Sequence, residues 1–286
     1  VKPPLVSLGL ALAVPGLLLA CAHGGEVDLA TLASNSDQVI WEAAQKAAER
    51  RQWESARQLF KRIVEGFPQS EHGPAARLAL GDSYMEEGGA ANYILAAGAY
   101  RDFLTLYPTH ARADYAQFRV AESHFSQRNG PDRDQTATEG ALEEYQRLLE
   151  AYPGSIHAEP ARQRIAACRQ SLARSEFQVG YFYQRTRQAC RAAIARYERV
   201  LSEYPDFEAL DELLFRLGEC LVASGRAAEA PPHLKRILDE FPQSAFRAGA
   251  EALLSRSSGP APGPPPPAAP DAASPVPASP SPPSLK

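Results

Sequence analysis

Residues 141–153 read ALEEYQRLLEAYP, and their order of small, large and proline residues recurs along the chain. Ala141 is followed four residues later by Tyr145 and eight after that by Pro153. The same register places Ala56, Phe60 and Pro68 in ARQLFKRIVEGFP, and Ala96, Tyr100 and Pro108 in AAGAYRDFLTLYP. It returns as Ala193, Tyr197 and Pro205 in AIARYERVLSEYP, and as Ala230, Leu234 and Pro242 in APPHLKRILDEFP. An aromatic residue precedes each of these prolines. Residues four apart share one face of a helix. There a small Ala admits a neighbouring helix, and the large residue beside it fills the gap. Proline cannot continue a helix interior, so each one marks a helix end. Ser70, Thr109, Ser155 and Ser244 follow closely and suit the N-cap of the next helix.

Upstream of each segment lies a partner. Leu80-Gly81 precedes Tyr84, Val179-Gly180 precedes Tyr183, and Leu217-Gly218 precedes Leu221; Ala121 and Ala44 take the glycine place in the third and first repeats. This is the tetratricopeptide pattern, L-G-x-x-Y, then A-x-x-x-F, then P. The spacing predicts an all-α fold, a right-handed tetratricopeptide-repeat (TPR) solenoid of about five helix-turn-helix repeats. It spans residues 37–256, with insertions around Glu87–Tyr93 and Gln127–Glu139 and a terminal cap in AFRAGAEALLSR. Residues 157–184 read as one long helix or as two with a bend.

Outside the repeats the composition changes. The apolar run from Leu5 to Ala20 follows a basic Lys2 and contains Pro15. It is shorter than the roughly 20 apolar residues of a membrane-spanning helix, and fits a signal peptide over residues 1–20. Leu18-Leu19-Ala20-Cys21 resembles the bacterial lipobox, which makes Cys21 the lipidated first residue of the mature chain. Residues 21–36 then read as a flexible tether. Ala22, in place of an aspartate after the cysteine, points to the outer membrane, lipid-anchored and facing the periplasm. Residues 257–286 are Pro-, Ala- and Ser-rich and nearly uncharged, the composition of a disordered, polyproline-like spacer.

The 286 residues carry a formal net charge of −4 with no basic block, which argues against nucleic acid as a partner. No phosphate-binding, metalloprotease, nucleophile-elbow or paired-cysteine motif is present. The six histidines are scattered. His110 and Asp114 suit a polar contact at a helix start, Glu143, Glu144 and Glu150 with Arg147 a solvated face, and Asp132 to Asp134 a turn. Cys168, Cys190 and Cys220 lie in alanine-rich helical text and read as buried small apolar residues, although Cys168 and Cys190 could pair. No catalytic residue, metal or cofactor is expected. The function is therefore that of a non-enzymatic scaffold whose concave groove binds extended peptides or helices. By register the groove is lined by Trp41, Asp82, Met85, Tyr115, Phe118, Glu122 and Phe125, and suits a peptide with apolar or aromatic anchors. Phe118 and Phe125 also suit packing between repeats.

Three stretches add a family resemblance. LYPTHARADYAQFRVAESHF (106–125), DRDQTATEGALEEYQRLLEAYP (132–153) and RQRIAACRQSLARSEFQVGYFYQR (162–185) resemble the BamD family, the lipoproteins of the outer-membrane β-barrel assembly machine. The resemblance covers about residues 36–256. It implies two partners, the central barrel-assembly subunit (BamA-like) and unfolded outer-membrane proteins. It implies that carboxy-terminal repeats meet the subunit while amino-terminal repeats face substrate. Arg196 falls where the family has an Asn-Arg pair, with Ala195 in place of the Asn, and is implied as an interface residue. The competing reading is another periplasmic TPR lipoprotein, acting in envelope constriction or peptidoglycan synthesis.

Overall fold

The computed structural model describes residues 35–257. The expected signal peptide, the lipobox-like stretch with Cys21, most of the expected tether and nearly all of the proline-rich segment lie outside the described residues. The described chain is all-α. Its helices pair as α1 (Asp37–Glu49) with α2 (Trp53–Gly66), α3 (Gly73–Glu87) with α4 (Ala90–Leu106), and α5 (Ala113–Phe125) with α6 (Thr136–Ala151). These are followed by α7 (Ala158–Arg185) with α8 (Cys190–Glu203), and α9 (Leu210–Ala223) with α10 (Ala230–Glu240); α11 (Arg247–Ser257) comes last. The stretch of uncertain form after Pro153 is thus a single helix of 28 residues.

The chain forms two compact units, one up to Gln178 and one from Val179, and α7 contributes residues to both. In the first unit each helix from α1 to α6 packs on its successor. In the second, α9 packs on α8, α10 and α11. The first unit has separate apolar clusters rather than one centre, as stacked repeats require. Ile40, Ala44, Phe60 and Ile63 anchor the first, Leu78, Tyr100 and Phe103 the second, and Ala121, Tyr145, Leu148 and Cys168 the third.

In three repeats the large residue of this register faces a glycine of the preceding helix. A Cβ placed on Gly81 would lie 2.7 Å from the Tyr100 ring, and one on Gly180 would lie 2.6 Å from that of Tyr197. On Gly218 it would lie 2.6 Å from the Leu234 side chain. Glycine therefore lets the large residue of the second helix press against the backbone of the first. Alanine normally favours a helix over glycine by about 1 kcal/mol. At Gly81 the opposing ring is fully buried and its hydroxyl donates to Asp82, so it has little freedom to retreat. Gly81→Ala is accordingly expected to lower the unfolding free energy by about 1–2 kcal/mol despite the propensity gain. Chemical denaturation measures this, and a stabilised variant would contradict the packing account.

Every second helix ends alike. Phe67, Tyr107, Tyr152, Tyr204 and Phe241 cap α2, α4, α6, α8 and α10 with φ between −134° and −127° and ψ between 56° and 69°. The following proline disfavours the α conformation at the residue before it, so the helix stops there. Two successive turns then lead to the next helix, as in Ser155 N–H to Tyr152 C=O and Ala158 N–H to Ser155 C=O.

Those turns correct the capping expectation. Ser70, Ser155 and Ser244 accept from the backbone N–H of His72, His157 and Phe246, two residues on and still before the helix. In the second repeat His110, not Thr109, takes this place, its Nδ1 accepting from the Arg112 N–H. The serines also tie each turn to the start of the repeat. Ser155 donates to Asp114 at 2.7 Å and Ser244 to Asp211 at 2.6 Å, and Ser70 hydrogen-bonds the Asp37 carboxyl. His110 and Asp114 thus have separate partners. Glu144, expected on a solvated face, is buried. Cys168 and Cys220 are buried, and all three described cysteines are free thiols.

Candidate functional site

The groove candidates fall on α1, α3 and α5, the first helices of three successive repeats. The structure gathers them into two places. Trp41 and Asp82 line a cavity of about 330 Å³ together with Gln45, Glu49, Trp53 and Glu86. On α1, Trp41, Gln45 and Glu49 are spaced four apart and share one face; on α3, Asp82 and Glu86 do the same. Trp53, the first residue of α2, adds the second indole. Trp41 is held by the His72 ring, stacked at 5.2 Å and within 4° of parallel, and by Phe60 at 5.7 Å.

Asp82 is fixed from α4 and α5. It accepts hydrogen bonds from Tyr100 and Tyr115, each at 2.6 Å, and Arg119 stands 3.8 Å away. Burial first, and then the Asp82 charge, push both phenols well above the usual tyrosine range, so they remain donors. Tyr115 is thereby tied to the first cavity through its hydroxyl. Met85 packs into the second core cluster, and its sulfur accepts from Ser123 at 3.2 Å.

Phe118, Glu122 and Phe125 form the second place, around Tyr145. The two phenylalanine rings lie 5.9 and 6.1 Å from the tyrosine ring. Phe118 also stacks on His157 at 4.8 Å. Phe125 has the Arg128 guanidinium 3.4 Å from its ring centre and that of Arg164 at 4.3 Å. Glu122 accepts from Tyr145 and, at 3.0 Å, from Arg164. These aromatic faces are occupied from within the chain. Arg196 lies half-buried on α8, in the second unit.

Trp41 and Asp82 were expected from the sequence; Gln45, Glu49, Trp53 and Glu86 were not. The four-residue spacing from Trp41 to Glu49 and from Asp82 to Glu86 was the available signal. Among the described residues no group of three or more His, Cys, Asp or Glu side chains is arranged to hold a metal ion. No described helix is long and apolar enough to cross a membrane.

The sequence model of the family described as "YfiO: Outer membrane lipoprotein" matches residues 33–233. Two similar proteins are both named "Outer membrane protein assembly factor BamD". That of Caulobacter vibrioides is 28% identical over 218 residues, covering 76% of this chain and 70% of that protein. That of Neisseria meningitidis serogroup A is 25% identical over 253 residues, covering 84% of this chain and 91% of that protein. Among solved structures, a thermophilic TPR protein of Thermus thermophilus aligns over 77% of this chain and all of its own, with 18% identity and a TM-score of 0.33.

Proposed function

The chain belongs to the YfiO outer membrane lipoprotein family, and from that membership we propose that it is a non-enzymatic assembly factor for outer-membrane β-barrel proteins. The observation that carries this reading is the family match, which runs from ahead of α1 into α10. The names of the similar proteins support it, since both are outer membrane protein assembly factors.

In this reading the chain is held to the periplasmic face of the outer membrane by acyl chains on Cys21, with residues 21–36 as tether. Two or more acyl chains give stable anchoring. The amino-terminal repeats receive unfolded barrel proteins at the groove of Trp41 and Asp82, and the carboxy-terminal repeats hold the central barrel subunit, with Arg196 at that contact. The groove supports the first of these roles because it is open, partly apolar and built from three successive helices. The proline-rich segment is a spacer.

Purification of the tagged full-length chain from detergent-solubilised envelopes tests the proposal. The central barrel subunit is expected to accompany it in near-stoichiometric amount, and Arg196→Ala to reduce that yield. Recovery of cell-wall synthesis or division proteins in its place would overturn the proposal.

A further inference from the structure

Three carboxylates and two indoles meet in one cavity, and no basic side chain lines it among the described residues. Glu49 pairs with no base among those residues, and it and Glu86 are exposed to solvent. Arg119 approaches Asp82 and Glu86 only at 3.8 and 3.9 Å, and its Nε donates to the Tyr100 hydroxyl at 3.2 Å. One guanidinium thus stands against three carboxylates, and the groove keeps negative charge beside aromatic surface.

An indole face attracts a cation through its quadrupole, and carboxylates at the rim add to that attraction. The same arrangement repels a chain-terminal carboxylate. Arginine suits it better than lysine. Its planar group stacks on an indole, is more weakly hydrated, and presents a fork of donors to a carboxylate. We propose that the groove formed by Trp41, Trp53, Glu49, Asp82 and Glu86 selects an arginine side chain within an extended polypeptide. This rests on the reading of the groove as the receptor for unfolded chain, and adds to it the chemistry that is recognised.

The chain's two tryptophans are Trp41 and Trp53, so its tryptophan emission, excited selectively over that of its tyrosines, reports on this groove. The probes are three short peptides, capped at both ends and free of aromatic fluorophores other than phenylalanine. They carry arginine, citrulline or phenylalanine at one central position among glycine, serine and leucine. The full chain is expected to show a saturable fluorescence change with the arginine peptide, and about tenfold weaker binding of the neutral citrulline isostere. Glu49→Gln with Glu86→Gln, at exposed positions that leave the core intact, is expected to abolish most of that difference. Equal binding of the arginine and citrulline peptides, or tighter binding of the phenylalanine peptide, would overturn cation selection and leave the groove as a receptor. No response to any of the three would overturn both.

Discussion

Tyr145→Ala is expected to cost about 4 kcal/mol of unfolding free energy, within the range for deleting a large buried aromatic. The ring is fully buried in the third core cluster, against Ala121, Ala141 and Leu148, with Phe118 and Phe125 over it. Its hydroxyl donates to Glu122. Removing the ring opens a cavity that three helices border, and rigid helices close such a space only in part. Tyr145→Phe keeps the volume and loses one hydrogen bond. Glu122 still holds Arg164 at 3.0 Å, so about 1 kcal/mol is expected there. Urea denaturation gives both values. Because the first unit holds separate clusters, amide exchange in the alanine variant should rise first in α5, α6 and the start of α7. A loss under 1 kcal/mol for the alanine variant would show that the small–large register does not carry the packing.

The repeats were legible because their cause is local. A small residue one turn before a large one, and a proline after an aromatic, leave their mark within thirteen residues, as in ALEEYQRLLEAYP. The helix ends follow from the same text, since Pro68 or Pro153 restricts the residue before it. The groove was half legible. Spacing says which face of α5 carries Phe118 and Phe125, but not what covers them. Their partners His157 and Arg164 come from more than thirty residues away, beyond an insertion and a further helix. The displaced helix starts after the serines have a similar origin. Ser70 and Ser155 stand where a cap would be expected, but paired turns shift the helix start by two residues. Glu144 looked solvated because Glu143 and Glu150 flank it; Gln117 and Arg101, which meet it from other helices, are distant in sequence.

That last residue carries the second large effect. The Glu144 side chain is only 8% exposed, yet it is charged. Arg101 donates to it at 2.9 Å, and Arg147 and Gln117 donate at 2.8 Å. Burial alone would raise its pKa, but the hydrogen bonds from Arg101 and Gln117 and the charges of Arg147 and Arg101 outweigh it and hold the carboxyl below its usual range. A group depressed on folding binds protons more readily when unfolded. Its stabilisation is therefore complete above the unfolded pKa, near 4.3 for glutamate, and is lost as pH falls through the lower folded value. Glu144→Gln keeps the shape and a link to Gln117 but leaves two guanidinium groups without their carboxylate. The expected cost at pH 7 is about 2 kcal/mol. The two arginines are about half exposed, so water recovers part of what they lose. The gap between wild type and variant should stay constant from pH 7 to about 5, then shrink as acid protonates the wild-type carboxyl. Denaturation curves at several pH values measure it. A gap unchanged down to pH 3 would mean that shape, and not charge, makes Glu144 fit between α4, α5 and α6.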